Sequence, residues 1–383
     1  MTFAPQTDVV AFLKDSATHA SGDAVEVIET HAAYVFLVGG DAYKIKRAVR
    51  YDYLDYSTLP MRHAALKREL EINSPVAPSI YRDVVAISRE PDGRLEIGGA
   101  GEPVEWVLRM VRFRADDELS NVAERGDLDF PMAEALGHSI ARYHAKAEIR
   151  AGKRSSVLIK QILDELDREF AGLTDALPVG ETRAFLAAAR QRLERDNGFL
   201  DTRTAAGHIR RCHGDLHLRN IVLIDGTPVP FDALEFDEEL GTCDVIYDLA
   251  FLLMDLRHHG LNVAANAAMN AYLRSADTEA ELAGLRVLPL FLGVRAALSS
   301  MVAAQTARAR GGDTQPETDG RRYLADACAA LSPASPSLVA IGGLSGTGKT
   351  TLARSLTPDV RPMPGAVHLR SNVDRKTMVG VSP

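Results

Sequence analysis

The stretch Arg211-Cys-His-Gly-Asp-Leu-His-Leu-Arg-Asn-Ile-Val-Leu-Ile-Asp-Gly-Thr-Pro-Val-Pro-Phe-Asp232 carries most of the information in this sequence. Its Asp225-Gly226 pair separates two apolar runs, the strongest short-range signal for a β-hairpin. An antiparallel hairpin returns the chain to its start, so we expect Asn220, before one strand, and Asp232, after the other, to meet at one open end. Asp215 lies on the loop that leads into the hairpin. Carboxylate and amide oxygens are ligands with which proteins hold Mg²⁺ beside substrate phosphates.

Asp215 follows His213-Gly214 and precedes Asn220 by five residues. With Asp232 further on, this order matches the protein-kinase pattern of a catalytic-loop aspartate, an asparagine and a metal-binding aspartate. His-Gly-Asp instead of His-Arg-Asp, and Phe-Asp-Ala at 231–233 instead of Asp-Phe-Gly, resemble the aminoglycoside phosphotransferase-like branch of the kinase fold, which includes small-molecule kinases. The alternative is a polar hairpin in a domain of another function.

The resemblance implies a role for each residue of the motif. Asp215 would orient an acceptor hydroxyl and take its proton, while Asn220 and Asp232 would hold Mg²⁺ on the phosphates of ATP. His217 stands where a protein kinase carries a lysine near the transferred phosphate, so it would assist there. The His213–His217 spacing also occurs in zinc metalloprotease helices, but the glutamate required there is missing and Gly214 favours a loop, which disfavours zinc.

The region before the motif predicts a β-rich lobe. Short alternating or apolar runs separated by turn residues indicate strands near residues 25–28, 34–38, 42–46, 84–88, 95–98 and 104–113. Lys44 and Lys46 share one face of a strand because they are two residues apart. A kinase lysine follows a small residue two positions earlier, and Ala42 therefore favours Lys44 over Lys46.

A helix predicted over residues 61–72 offers a partner for that lysine. The resemblance assigns Glu69 to hold Lys44 in position, as in the kinase lysine–glutamate pair. Glu71 lies about 200° away around the helix and suits the role poorly. The alternative is a solvent-facing basic strand edge opposite a solvated carboxylate.

From residue 119 the pattern changes to helices. Apolar residues recur at 3-and-4 spacing over 132–143 and 159–170, and further helices are predicted over 184–193, 285–305 and 321–331. A flexible surface loop is predicted over 310–320. Asp248, within an apolar helix, needs partners, and the resemblance to the kinase fold implies an architectural role for it. His144 is interpreted as a core histidine with its hydrogen bonds satisfied rather than as a ligand.

A second motif lies near the end of the sequence. Leu338-Val-Ala-Ile341 predicts a strand, and Gly343-Leu-Ser-Gly-Thr-Gly-Lys-Thr350 fits the P-loop pattern before a helix through Leu356. Backbone N–H groups of this loop would wrap a β-phosphate, Lys349 would neutralise it and Thr350 would reach Mg²⁺. The nucleotide-binding residues predicted here are Gly343, Ser345, Gly346, Thr347, Gly348, Lys349, Thr350 and Thr351. The alternative is a glycine-rich turn.

This second motif has little chain after it. Only 34 residues follow Lys349 in the sequence of 383, whereas a parallel P-loop domain usually has about 150. Residues 367–370 would supply at most a second strand. The segment resembles the opening of small P-loop kinases, and we expect it to be a truncated P-loop domain.

Composition limits the remaining possibilities. Hydrophobic content of 46% and charged content of 25% are those of an ordinary globular protein. The net charge of −8 argues against general nucleic-acid binding. We see no secretion signal and no apolar run near the ~18 residues of a membrane span. Three scattered cysteines do not form a disulfide framework. We therefore expect a cytoplasmic protein with a small-molecule partner and neither nucleic acid nor membrane.

Together these features predict an α+β, bilobal protein-kinase-like fold followed by the first βαβ portion of a P-loop domain. The expected parts are an N-lobe over 1–113, a helical C-lobe with the catalytic loop over 114–331, a linker over 332–337 and the incomplete P-loop segment over 338–383. The predicted function is ATP-dependent phosphorylation of a small-molecule hydroxyl. The alternative is a nucleotide-binding regulatory module, a pseudokinase coupled to a P-loop ATPase or kinase.

Overall fold

The computed structural model describes residues 6–51, 54–276, 278–310 and 314–370. The described chain opens with helix α1 (Thr7–Lys14) and strands β1 (Glu26–Glu29), β2 (Ala33–Val38), β3 (Asp41–Lys46), β4 (Arg50–Tyr51) and β5 (Leu54–Asp55). It continues with helix α2 (Leu59–Asn73), strands β6 (Tyr81–Arg89), β7 (Leu95–Ile97) and β8 (Glu102–Val111), and helix α3 (Leu119–Glu124).

The second part is mostly helical. Its elements are α4 (Phe130–Lys146), α5 (Ser155–Ala171), α6 (Val179–Ala205), β9 (Ile209–Arg211), β10 (Ile221–Ile224), β11 (Thr227–Pro230) and β12 (Thr242–Asp244). After these come α7 (Val245–His258), α8 (Asn262–Ser275), α9 (Thr278–Gly284), α10 (Leu288–Ala309), α11 (Thr314–Leu331) and α12 (Lys349–Leu356).

The chain divides into two compact units. The sheet unit contains residues up to 122 together with 213–215 and 219–241. The helical unit contains 123–212, 216–218 and the chain from 242 onward. The motif stretch 219–241, which the sequence prediction grouped with the helical C-lobe, thus lies in the sheet unit. The predicted linker and the described P-loop residues belong to the helical unit.

A six-stranded antiparallel sheet forms the centre of the sheet unit, in the order β1-β2-β3-β8-β6-β7. One face packs against α1 through a buried cluster that includes Leu13, Phe36 and Ile45. A second cluster, including Leu66 of α2 and Leu108 of β8, covers another part of the sheet. Alternation along β3 places Ala42, Lys44 and Lys46 on one face, as the sequence predicts.

Helix α2 presents one buried stripe to the sheet. Thr58 caps its first turn by accepting a hydrogen bond from the Met61 N–H, and the buried residues recur at helical spacing. These are Arg62, Leu66, Glu69 and Asn73. Arg62 forms a buried ion pair with Glu105 of β8, with 2.9 Å between Nη2 and Oε2. The stripe therefore carries polar groups into the interior and fixes the helix against the sheet.

The predicted hairpin is confirmed. β10 and β11 pair antiparallel with Ile224 opposite Thr227, so Asp225 and Gly226 form the two-residue turn. Both have positive φ, 49° and 74°, which is the type I′ geometry that an Asp-Gly pair favours. At the other end of the hairpin the Phe231 N–H donates to the Asn220 carbonyl at 2.9 Å.

The helical unit is built around α7, α8 and α10. Helix α7 is almost wholly buried. Helices α4 and α8 approach so closely at Gly137 that a Cβ there would lie 2.1 Å from the Ala268 carbonyl oxygen. Helix α10 is long and apolar enough to cross a membrane by length and composition, yet 67% of its most apolar window is buried against the rest of the protein. That degree of burial is typical of a core helix.

Two predicted features differ in the structure. The prediction of a loop over 310–320 is wrong for residues 314–320, because α11 begins at Thr314. Gly320 lies inside that helix, where its carbonyl accepts a 2.7 Å hydrogen bond from the Ser300 hydroxyl of α10. Close packing of the two helices explains why a glycine that signals a loop lies within a helix.

The predicted βαβ portion of the P-loop segment is not confirmed. Helix α12 is present, but within the described part of the chain neither 338–341 nor 367–370 forms a strand. Leu338 is 93% exposed. A strand needs a neighbour to satisfy its backbone hydrogen bonds, and the described segment supplies none for these residues.

Candidate active site

The sheet unit brings Lys44, Glu69 and Asp232 into direct contact. Lys44 Nζ lies 2.7 Å from Glu69 Oε1 and 2.7 Å from Asp232 Oδ1. Glu69 is fully buried, as its place on the inner stripe of α2 requires. Glu71, the less favoured alternative, is exposed and pairs with Arg68. A cation between a buried and a partly exposed carboxylate is an arrangement that can exchange one partner for a ligand.

Lys46 takes part in a second, deeper pair. Its Nζ lies 2.7 Å from Glu69 Oε2 and 2.5 Å from Glu235 Oε1. The Tyr56 hydroxyl donates to the same Glu235 oxygen at 2.8 Å. Glu69 is thus held by both lysines, one on each oxygen. Because Lys46 faces Glu235 and Lys44 faces Asp232, the structure distinguishes the two lysines by their second partner.

The charges in this cluster stabilise one another. Burial alone would lower the pKa of Lys44, but the carboxylates of Asp232 and Glu69 outweigh it and hold that pKa well above its usual range. Burial opposes ionisation of Asp232, yet Lys44 lowers its pKa to about 2. The pKa of Glu235 is likewise lowered, against burial, by Lys46 and then Lys44. Each of these groups is therefore charged at neutral pH.

The loop before the hairpin is held by its own side chains. Asn220 Nδ2 donates to the Asp215 carbonyl at 2.9 Å and to Asp215 Oδ2 at 3.0 Å. The Asp215 N–H donates to His213 Nδ1 at 3.3 Å, so Nε2 carries the proton and donates to the Phe231 carbonyl at 2.8 Å. These bonds occupy both ring nitrogens of His213 and argue against the disfavoured zinc interpretation.

Gly214 supplies a conformation that other residues rarely adopt. Its φ is +84°, and a Cβ there would lie 3.1 Å from the Leu234 Cβ and 3.3 Å from the Gly241 Cα. The glycine therefore lets the loop carrying Asp215 pass close to the segment after Asp232. The positive φ and the close contact explain why a glycine stands between His213 and Asp215, where the protein-kinase pattern has an arginine.

Two residues at the site, Tyr81 and Asn73, were not predicted from the sequence to take part in it. The Asp232 N–H donates to the Tyr81 hydroxyl at 3.0 Å, and the Ala233 N–H donates to Asn73 Oδ1 at 2.9 Å. Burial, and then the Asp232 carboxylate, raise the pKa of Tyr81 well above its usual range. The only sequence signal for Asn73 was its position four residues after Glu69 on the buried face of the helix.

In the helical unit, the ring of His217 lies edge-on to Phe251, with centroids 5.5 Å apart.

Asp248 is fully buried, with its Oδ2 3.0 Å from His144 Nε2, and His144 Nδ1 lies 3.0 Å from the Tyr272 hydroxyl. His144, Asp248 and Cys212 have potential ligand atoms within 4.8 Å of one another. Both ring nitrogens of His144 already have protein partners, which supports a core role for it.

The predicted P-loop residues form a turn over 343–348 and the first residues of α12, which begins at Lys349. Gly346 and Gly348 have φ values of 81° and 80°. Lys349 Nζ donates to the carbonyls of Gly343 and Leu344 at 2.8 and 2.5 Å. The Thr347 hydroxyl also donates to the Leu344 carbonyl at 2.8 Å. The side chains of this loop thus bond mainly to the loop itself, and Ser345 and Thr351 are exposed.

Comparison with known proteins gives relatives without an assigned activity. No family model matches the chain. Uncharacterized proteins of Mycobacterium tuberculosis and Mycobacterium bovis are each 31% identical to it over 337 residues. The match covers 87% of this chain and 65% of each relative. The chain therefore spans less than two thirds of the length of the curated relatives that it matches.

Solved structures resemble the chain over most of its length. The GDP complex of aminoglycoside 2'-phosphotransferase-IIIa is 13% identical, with a TM-score of 0.50 over 85% of this chain and 99% of that one. A choline/ethanolamine kinase family protein from Mesorhizobium loti is 16% identical, with a TM-score of 0.49 over 86% and 96%. Amicoumacin kinase with AMP-PNP and Ca²⁺ is 18% identical, with a TM-score of 0.49 over 86% and 98%. At such identities the first of these likenesses shows the fold alone: the chain has a kinase-like α+β fold, with a β-rich N-terminal sheet and a helical C-terminal part.

Proposed function

We propose that the chain is an ATP-dependent phosphotransferase that acts on the hydroxyl group of a small molecule. The observation that carries the proposal is the contact of Lys44 with both Glu69 and Asp232, residues 25 and 188 positions away in the chain. A hairpin of another function has no need of a partly buried lysine shared between a helix carboxylate and the carboxylate at the end of the hairpin.

Asp215 is the proposed general base. It takes the proton of the acceptor hydroxyl, whose oxygen forms a bond to the γ-phosphorus of ATP as the bond to the bridging oxygen breaks and ADP leaves. The transition state of phosphoryl transfer is loose, so positioning and charge neutralisation supply most of the acceleration. Hydrogen bonds from Asn220 hold Asp215 at its backbone carbonyl and at one carboxylate oxygen.

Asn220 and Asp232 are the proposed ligands for Mg²⁺. Their amide and carboxylate oxygens are hard donors that suit this ion, and the side chain of Asp232 is 40% exposed despite its ion pair. The ion would neutralise charge on the phosphates. The low pKa of Asp232 keeps the carboxylate ionised and ready to bind a cation without releasing a proton.

Lys44 is the proposed phosphate-binding lysine. Its ammonium can exchange the Asp232 contact for α- and β-phosphate oxygens while Glu69 continues to hold it. Lys46 keeps the second Glu69 oxygen paired during such an exchange. Because Lys46 also pairs with Glu235, it is less suited than Lys44 to exchange a carboxylate partner for phosphate oxygens. His217, two residues after Asp215, would assist near the transferred phosphate.

The proposed phosphate donor is a nucleoside triphosphate, and the proposed phosphate acceptor is a hydroxyl-bearing small molecule. One of the similar proteins is named as a phosphotransferase for an aminoglycoside and is described with bound GDP. That likeness supports testing GTP beside ATP, and hydroxyl-bearing small molecules as acceptors. The net charge of −8 does not favour a nucleic-acid partner, and we propose a cytoplasmic location.

The P-loop segment is proposed as a second nucleotide-binding element. Its glycines with positive φ and the start of α12 after Gly348 fit a loop that wraps phosphate with backbone N–H groups. Phosphate binding there would require Lys349 to exchange its two carbonyl partners for phosphate oxygens. This element would bind nucleotide in addition to the phosphotransferase site.

The direct experiment follows labelled γ-phosphate from ATP or GTP onto a panel of aminoglycosides, sugars, nucleosides and amino alcohols. Label in one acceptor class, lost on chelation of Mg²⁺, is the expected result. Nucleotide binding without transfer to any class, and with no slow hydrolysis of ATP, would favour the regulatory alternative instead.

A further inference from the structure

The backbone around Asp232 is held by hydrogen bonds from four consecutive N–H groups, those of residues 231–234. Asp232 has a φ of +58°, in the left-handed region that a non-glycine residue rarely adopts. The Phe231 N–H donates to the Asn220 carbonyl and the Leu234 N–H to the His213 carbonyl, each at 2.9 Å. Between them, the N–H groups of Asp232 and Ala233 donate to the side chains of Tyr81 and Asn73. Four consecutive N–H groups are therefore each bonded to a defined acceptor.

The two side-chain acceptors are themselves buried and fixed. Tyr81 is 5% exposed at the start of β6, and Asn73 is 2% exposed at the end of α2. Asn73 Nδ2 donates to the Glu69 carbonyl at 2.9 Å, so its amide is oriented by the same helix turn that carries Glu69. One helix thus controls both the partner of Lys44 and the backbone that presents Asp232.

We propose that Asn73 and Tyr81 are positioning residues that hold the Asp232 carboxylate for its divalent metal ion. The inference rests on the proposed function, in which Asp232 binds the metal of a metal–nucleotide complex. Each residue holds a backbone N–H beside the metal-binding carboxylate rather than the carboxylate itself. Loss of either bond lets the strained turn relax and moves the ligand away from the metal position.

The variants Tyr81→Phe and Asn73→Leu remove the acceptors while keeping most of the side-chain volume. Matched controls are Tyr272→Phe, which removes a buried hydroxyl 3.0 Å from His144, and Asn270→Leu, which removes a buried amide bonded to the Asn266 carbonyl. Both controls lie in the helical unit. Thermal unfolding of the full chain checks that each variant folds, and Tyr81→Phe carries the test if Asn73→Leu does not.

Calorimetric titration with ADP, in EDTA and then across Mg²⁺ concentrations, gives a readout that needs no turnover. Lys349→Ala, titrated alongside, gives the share of the binding that belongs to the proposed nucleotide-binding loop at 343–350, and that share is subtracted. For each site variant we expect ADP affinity in EDTA to stay within about twofold of wild type, while the Mg²⁺-dependent gain in affinity falls about tenfold. Neither control should change that gain. In the transfer assay the site variants should need correspondingly more Mg²⁺ to reach half-maximal rate.

The outcomes separate the two proposals. A wild-type chain with no Mg²⁺-dependent gain in ADP affinity overturns the proposed function and this inference with it. A normal wild-type gain that both site variants retain in full overturns the positioning role alone. A loss of ADP affinity in EDTA as large as the loss in Mg²⁺ also overturns it, because the residues would then support the fold rather than the metal ligand.

Discussion

The acidic loop at 213–233 and the glycine-rich loop at 343–350 are both short motifs, but different forces hold them. The first is held by bonds within itself and also by residues far away in sequence, as when Lys44 meets Asp232. Side chains of the second bond to their own loop, as when Lys349 meets Gly343 six residues away. A motif becomes a preorganised site when distant parts of the fold determine its geometry. The first loop satisfies that condition in the described structure, and the following variants test the contrast.

The largest effect is expected for Asp215→Asn. Loss of the base should lower the rate of phosphate transfer about 10³-fold, while ADP affinity stays near wild type because no charge at Lys44 or Asp232 changes. Labelled transfer and calorimetry measure the two properties on the same samples. Asp237→Asn, at an aspartate that accepts from the Glu239 and Leu240 N–H groups, is the matched control. Retained turnover in Asp215→Asn would rule out this base.

The two lysines of β3 should separate activity from stability. Lys44→Met should lower kcat/KM about 100-fold, since it removes a preorganised charge from the phosphates. Lys46→Met should lower the free energy of unfolding by about 3 kcal/mol, because Glu235 would keep a buried charge without its partner. Steady-state kinetics and urea unfolding of both variants test this division. A larger loss of activity in Lys46→Met would reverse the assignment of the phosphate lysine.

Two glycines with positive φ offer a smaller and purely steric test. Gly226→Ala, at the hairpin turn, meets no atom within 4 Å of the added Cβ and should cost only the strain of a left-handed residue, about 1 kcal/mol. Gly214→Ala should cost about 2–3 kcal/mol and lower transfer about tenfold, because its Cβ presses on Leu234. Equal losses of stability and activity in the two variants would contradict a close-packed role for Gly214.

Local chemistry explains what could be predicted from the sequence. The Asp225-Gly226 turn follows from the conformations that those two residues favour. The resemblance assigned Glu69, and helical periodicity placed Glu71 about 200° away from it around the helix. The choice of Lys44 over Lys46 came from a resemblance, and the structure adds the distinct second partners Asp232 and Glu235.

The rest depended on contacts that no local pattern encodes. Asn73 ends a helix and Tyr81 begins a strand, positions at which either residue is ordinary; only packing brings them to the peptides of Asp232 and Ala233. The helical start of 314–320 depends on contact with α10. For 338–341, a strand-like composition was not sufficient, because a strand forms only beside another strand.

ATP turnover of Asp232→Ala and Lys349→Ala, measured side by side with wild type, tests the central assignment most directly. The account predicts that Asp232→Ala loses at least about 100-fold in turnover, whereas Lys349→Ala stays within about twofold of wild type. Loss of turnover in Lys349→Ala, with Asp232→Ala unimpaired, would place the chemistry in the glycine-rich loop and contradict it.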